Sequence, residues 1–90
     1  MKTVSYNWDG HGSRPAIVLD EGKKAIRIVP FYLPIRVRRV PKSEARYFKD
    51  ITLRGKPYPM KRALKFLRGY VQRSYGTLRS APKTVREIFK

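Results

Sequence analysis

From Ile51 to Arg86 the chain carries ten Lys or Arg residues and no Asp or Glu. Within that stretch, Met60 to Gly76 repeats apolar residues at helical spacing. At about 100° per residue, Met60, Ala63, Leu64, Leu67, Tyr70, Val71 and Tyr75 fall in one arc. Lys61, Lys65 and Arg68 lie opposite, joined by Arg62, Gln72 and Arg73. The spacing predicts a helix starting near Pro59 or Met60, where proline loses no hydrogen bond, and stopping at Gly76. Gly69 sits on the polar side and costs about 1 kcal/mol relative to Ala. It is either a tolerated surface glycine or a place where a phosphate comes close to the backbone. A helix of this kind needs something apolar to lie on and leaves a cationic face outside.

That footing must come from the same small domain. Ninety residues are too few for two independent cores. A hydrophobic fraction of 41% with 12% aromatics is enough for one. The net charge of +16 repels itself in a compact state, so an anionic partner is the natural complement. The pI near 10.9 fits the footprint of a nucleic-acid binder. Absence of Cys excludes disulfides and thiolate zinc sites. No run of about 18 apolar residues predicts a membrane span, and the N-terminus lacks a signal-peptide core. A soluble, cytoplasmic protein, ribosome or nucleoid associated, is expected.

The expected fold class is α+β: a small N-terminal antiparallel sheet, hairpin plus a third strand, packed on the basic helix, with a short C-terminal helix. Residues 1–14, with Asp9-Gly10-His11-Gly12-Ser13, are expected to form a loosely ordered arm, and 15–90 the single domain. Ala16–Leu19 and Lys24–Val29 read as a hairpin closed through Asp20-Glu21-Gly22, with Ile26 and Ile28 on one face and Arg27 and Val29 on the other. After Pro30–Pro34, Ile35–Val40 reads as a third strand, Ile35 and Val37 inward and Arg36 and Arg38 outward, with a bulge or end at Arg39. Ser43 is placed to cap a short helix over Glu44–Asp50 that turns Ala45 and Phe48 or Tyr47 inward. Ile51–Leu53 is one more short strand, and Arg54–Pro59 a loop. Ser80-Ala81-Pro82 opens a final helix over Lys83–Phe89, with Thr84 and Glu87 as an alternative capping pair.

The candidate nucleic-acid contacts follow from this layout. Lys61, Arg62, Lys65, Arg68 and Arg73 form an acid-free helix face, where an ordinary solvated face would mix both signs. Arg36, Arg38, Arg39 and Lys42 form a second patch, suited to bidentate phosphate contacts or, alternatively, to guarding an edge strand. Arg54, Lys56, Arg79, Lys83 and Arg86 add charge from loops and tail. Phe31, Tyr32 and Tyr58, with Trp8 and Tyr47 behind them, are candidates for stacking on unpaired bases. Tyr70 and Tyr75 belong to the apolar arc. The lone Asp9/His11 pair matches no metal or acid–base spacing, so no enzyme, cofactor or small-molecule substrate is expected.

Gly76-Thr77-Leu78-Arg79-Ser80-Ala81-Pro82-Lys83-Thr84-Val85-Arg86 and the residues to Phe89 resemble the turn and second helix of a helix-turn-helix domain. That resemblance implies a polar-capped helix entering a DNA major groove. As a small, very basic, cysteine-free α+β domain the chain is similar in general character, by composition alone, to ribosomal proteins. The leading expectation is therefore structured RNA, with neighbouring proteins of a ribonucleoprotein particle as further partners. The alternative is DNA, through a chromatin-type packer or a helix-turn-helix-like regulator. A membrane-surface role for the basic helix is disfavoured, because its apolar arc is needed for the core.

Overall fold

The computed structural model describes residues 2–7, 13–48, 50–53 and 55–89. The molecule is α+β. Its main sheet holds β1 (Thr3–Asn7), β2 (Ser13–Glu21), β3 (Ala25–Pro30), β4 (Arg38–Pro41) and β5 (Ala45–Phe48). They pair antiparallel in the order β4-β3-β2-β1-β5. A separate hairpin joins β6 (Ile51–Leu53) to β7 (Lys56–Tyr58), and α1 (Met60–Tyr75) and α2 (Lys83–Arg86) follow.

The sheet cannot be flat. Its edges, β4 and β5, would then lie about 19 Å apart at normal strand spacing. Only the 3-10 turn Lys42–Glu44 joins Pro41 to Ala45, and that length of chain reaches at most about 14 Å. The sheet therefore curls. Val4, Tyr6, Ala16, Val18, Ile26, Ile28 and Val40 are buried together on its concave side, with Ala45 against them.

The convex side carries the second buried cluster. Ile17 and Val29 of the sheet meet Ala63, Leu67 and Val71 of α1, with Ile35, Ile51, Ala81, Val85 and Ile88 closing the rim. These cores are not independent, because alternate residues of β2 supply both. A register shift between Val18 and Asp20 adds a bulge at Leu19.

The hairpin and the face assignment of Ile26, Ile28 and Val29 agree with the sequence reading. So do the start of α1 after Pro59 and its stop at Gly76, whose φ is 84°. Other readings are corrected. Thr3–Asn7 is no loose arm: it is an inner strand between β2 and β5, with Val4 and Tyr6 buried. Ser43 caps no helix, and 45–48 is strand β5, held by pairing to Thr3–Tyr6. Of its side chains Ala45 alone turns to the core, while Tyr47 is 45% and Phe48 54% exposed. Lys56–Tyr58 pairs with β6 around Gly55, φ 78°, where a loop was expected.

The third strand begins three residues late, at Arg38. The reason is a competing set of backbone hydrogen bonds. The Ile35 N–H donates to Ser74 Oγ at 2.8 Å, and the Tyr75 hydroxyl donates to the Ile35 carbonyl. The last turn of α1 thus takes the groups that a sheet ladder would use, and Ile35 is fully buried there. Ser74 also donates to the Tyr70 carbonyl at 2.9 Å, so its hydroxyl is satisfied both ways. The terminal helix likewise starts differently: Pro82, not Ser80, precedes Lys83, while Thr77 caps the 3-10 turn Leu78–Ser80.

Two of the six acids tie the sheet together. Arg27 Nε donates to Asp20 Oδ2 at 2.8 Å. Glu21 accepts from the Tyr47 hydroxyl and from Lys2 Nζ at 3.1 Å, linking the end of β2 to edge strand β5. These hydrogen bonds hold both carboxyls below their ordinary values of 4.5 for Glu21 and 3.8 for Asp20. A carboxyl with a lowered folded pKa contributes stability above its unfolded value and loses it as pH falls through the folded value. Thermal melts should therefore show Tm falling once pH drops below those ordinary values, and Glu21→Gln should flatten that fall. Ser74→Ala should cost about 1–3 kcal/mol in urea unfolding, because it strands the Ile35 N–H.

Candidate nucleic-acid interface

Helix α1 delivers its cations as its periodicity dictates. Ala63, Leu67 and Val71 are buried, four residues apart, and anchor the helix to the sheet. Lys61, Arg62, Lys65, Arg68 and Arg73 are all exposed, spread over an arc of about 140°. None of the five forms an ion pair among the described residues. Gly69 lies within that arc, and a Cβ there would meet nothing within 4 Å. The first turn holds no acid and two cations, Lys61 and Arg62, at the end where the helix dipole disfavours positive charge. For folding alone, that placement is adverse.

The arginine patch does not form one stripe. Arg38 lies opposite Ile28 in the ladder, while Arg39 lies opposite Arg27 on the other face, beside the Asp20 ion pair. Arg36 is exposed on the segment before β4. Arg36 and Arg38 instead meet Tyr32: with Pro30, Pro34 and Val37 they line a groove of about 410 Å³. Lys42, Lys56, Arg79, Lys83 and Arg86 are exposed at separate points on turns, β7 and α2.

A second groove, of about 380 Å³, lies on the other side of the Phe31–Tyr32 corner. Phe31, Tyr58, Phe66, Tyr70 and Arg14 line it, over Pro15, Thr52 and Leu53. Phe66 and Tyr58 meet edge to face, centroids 5.2 Å apart, yet Phe66 stays 43% exposed. The Arg14 guanidinium lies over the Tyr32 ring at 5.3 Å, a cation–π contact that joins the two grooves. Among the described residues no acid lines either one.

Of the stacking candidates read from the sequence, Tyr32 is exposed while Phe31 and Tyr58 are partly buried against the convex core, and all three line these grooves. Phe66 and Arg14, which line the second groove, were not among the candidates. The signal for Phe66 was present: it lies four residues from both Arg62 and Tyr70, at the border of the apolar arc. Arg14 falls at the end of the expected arm, where nothing local marks it. Tyr47 is exposed and engaged with Glu21 and Lys2. Trp8, the Asp9–His11 pair and Arg54 lie outside the described residues.

The C-terminal segment departs from the helix-turn-helix pattern. α2 is four residues long before it tightens to a 3-10 turn at Glu87–Phe89, and Val85 and Ile88 are buried in the core. Lys83 and Arg86 are exposed and Thr84 is half-buried. Among the described residues no three His, Asp or Glu side chains are grouped to hold a metal ion.

Because Lys61 opposes the helix dipole, Lys61→Glu should raise Tm, adding about 0.3–1 kcal/mol in calorimetry or denaturant titration. Comparison with protein-family models, with curated proteins and with solved structures found no match to this chain.

Proposed function

We propose that this is a non-enzymatic nucleic-acid-binding protein whose target is structured RNA, acting in the cytoplasm as a component of a ribosomal or other ribonucleoprotein particle. The observation that carries the reading is the outer face of α1. Five exposed cations stand there with no paired acid among the described residues, on a helix whose Ala63, Leu67 and Val71 are buried in the core. The protein thus keeps charge that opposes its own stability, and a polyanion supplies the missing counter-charge. Each phosphate bound releases condensed counterions, so binding is driven largely by the entropy of those ions. Arg36 and Arg38 on a separate segment favour an irregular RNA surface over a single groove of duplex DNA.

The same burial disfavours a membrane-surface role, which would need Leu67 and Val71 freed from the core. No helix among the described residues is long and apolar enough to cross a membrane.

The test is a salt titration with a folded RNA and with a DNA duplex of equal phosphate count. Affinity for the RNA should fall steeply with salt. The triple variant Lys61→Gln, Lys65→Gln, Arg68→Gln should flatten the log–log slope by about 2–3 units, roughly one for each phosphate no longer neutralised. An unchanged slope would remove α1 from the interface. Preference for DNA, lost on substituting Lys83 and Arg86, would instead establish the DNA-binding alternative.

A further inference from the structure

The two grooves on either side of the Phe31–Tyr32 corner call for an explanation that phosphate binding alone does not provide. Phosphates need cations; they do not need exposed rings. Yet Tyr32 is 44% and Phe66 43% exposed, and each stands at the wall of a groove of the size that ligand sites have. A single exposed ring needs no partner, but rings set into the walls of grooves mark a surface that can take a ligand. Arg14 spans the gap, lining one groove while lying over the ring that walls the other. Arg36 and Arg38 border the Tyr32 groove. Arg62 and Arg73, four and seven residues from Phe66, are exposed on the same side of α1 as that ring.

Resting on the nucleic-acid reading above, we infer that these grooves form one track for an unpaired RNA segment, bases stacking on Tyr32 and Phe66 while the arginines hold the intervening phosphates. Charge complementarity selects the occupant. The walls are aromatic and the rims cationic, with no acid in either lining among the described residues, which matches a strand of flat bases on an anionic backbone. A closed duplex offers only its phosphates here, since its bases are stacked on one another and cannot reach either ring. The track therefore assigns loops, bulges or single-stranded ends as the parts of the target that this face recognises.

Fluorescence anisotropy with the full chain tests this, using an unstructured uridine-rich RNA and a blunt RNA duplex of equal phosphate count. The wild type should prefer the single strand. Phe66→Leu and Tyr32→Leu should each weaken single-strand binding by about 5- to 150-fold, the effect of losing one stacked base. Both should leave duplex affinity unchanged, which also certifies that they fold, and Phe66→Tyr should restore the single-strand affinity. If Phe66→Leu fails to fold, Tyr32→Leu, on the exposed corner, carries the same comparison. Equal single-strand affinity in wild type and ring variants would overturn the track and leave the phosphate-binding reading standing. So would a wild type that prefers the duplex. Absence of binding to either RNA would overturn both.

Discussion

Ile17 and Val18 are neighbours in β2, yet they are buried in different clusters. Successive strand residues point to opposite faces, so this strand serves the concave core through Ala16 and Val18 and the convex core through Ile17 and Leu19. Every other element is arranged around that double burial. The curl of the sheet, enforced by the three-residue link between β4 and β5, closes the concave side without help from a helix. That leaves α1 free to cover the convex side, and it does so with a narrow ridge of Ala63, Leu67 and Val71. The opposite side of the helix stays in solvent, which is where the cations stand.

Charge and cohesion are separated in space. Asp20 and Glu21 neutralise Arg27 and Lys2 at the end of the hairpin, where the sheet needs its strands tied. No acid is spent on α1, and its first turn keeps Lys61 and Arg62 against the dipole. A protein selected for stability alone would place a carboxylate there. Under the proposed function this is charge kept for a polyanion, on an element that the core anchors through Ala63, Leu67 and Val71.

Legibility in the sequence tracked the range of the interactions involved. α1 was readable because its pattern repeats within sixteen residues and its ends are marked by Pro59 and Gly76. The β2–β3 hairpin was readable because both strands and their turn are contiguous. β1 and β5 were missed for the same reason in reverse. β5 pairs with β1 across some forty residues, as Phe48 does with Thr3 and Ala45 with Tyr6, and β1 is fixed as a strand between that remote partner and β2. Nothing local in Ala45–Phe48 announces that pairing, and the Ser43 cap signal pointed elsewhere. Ile35 went wrong through competition, since its backbone groups had a strand available and were taken by Ser74 and Tyr75 instead.

By itself the sequence determined the fold class, the helix, its apolar ridge and the exposure of its five cations. All of these depend on residue spacing along one element, which sequence order preserves. Only the tertiary structure decided which aromatic and basic residues share a groove. Arg14 of β2, Tyr32 of the corner, Tyr58 of β7 and Phe66 of α1 come from four segments, and no periodicity relates them. Their meeting depends on the angle at which α1 and the β6–β7 hairpin settle on the curled sheet. That angle is set by packing of side chains remote in sequence, and so it appears only once the chain has folded.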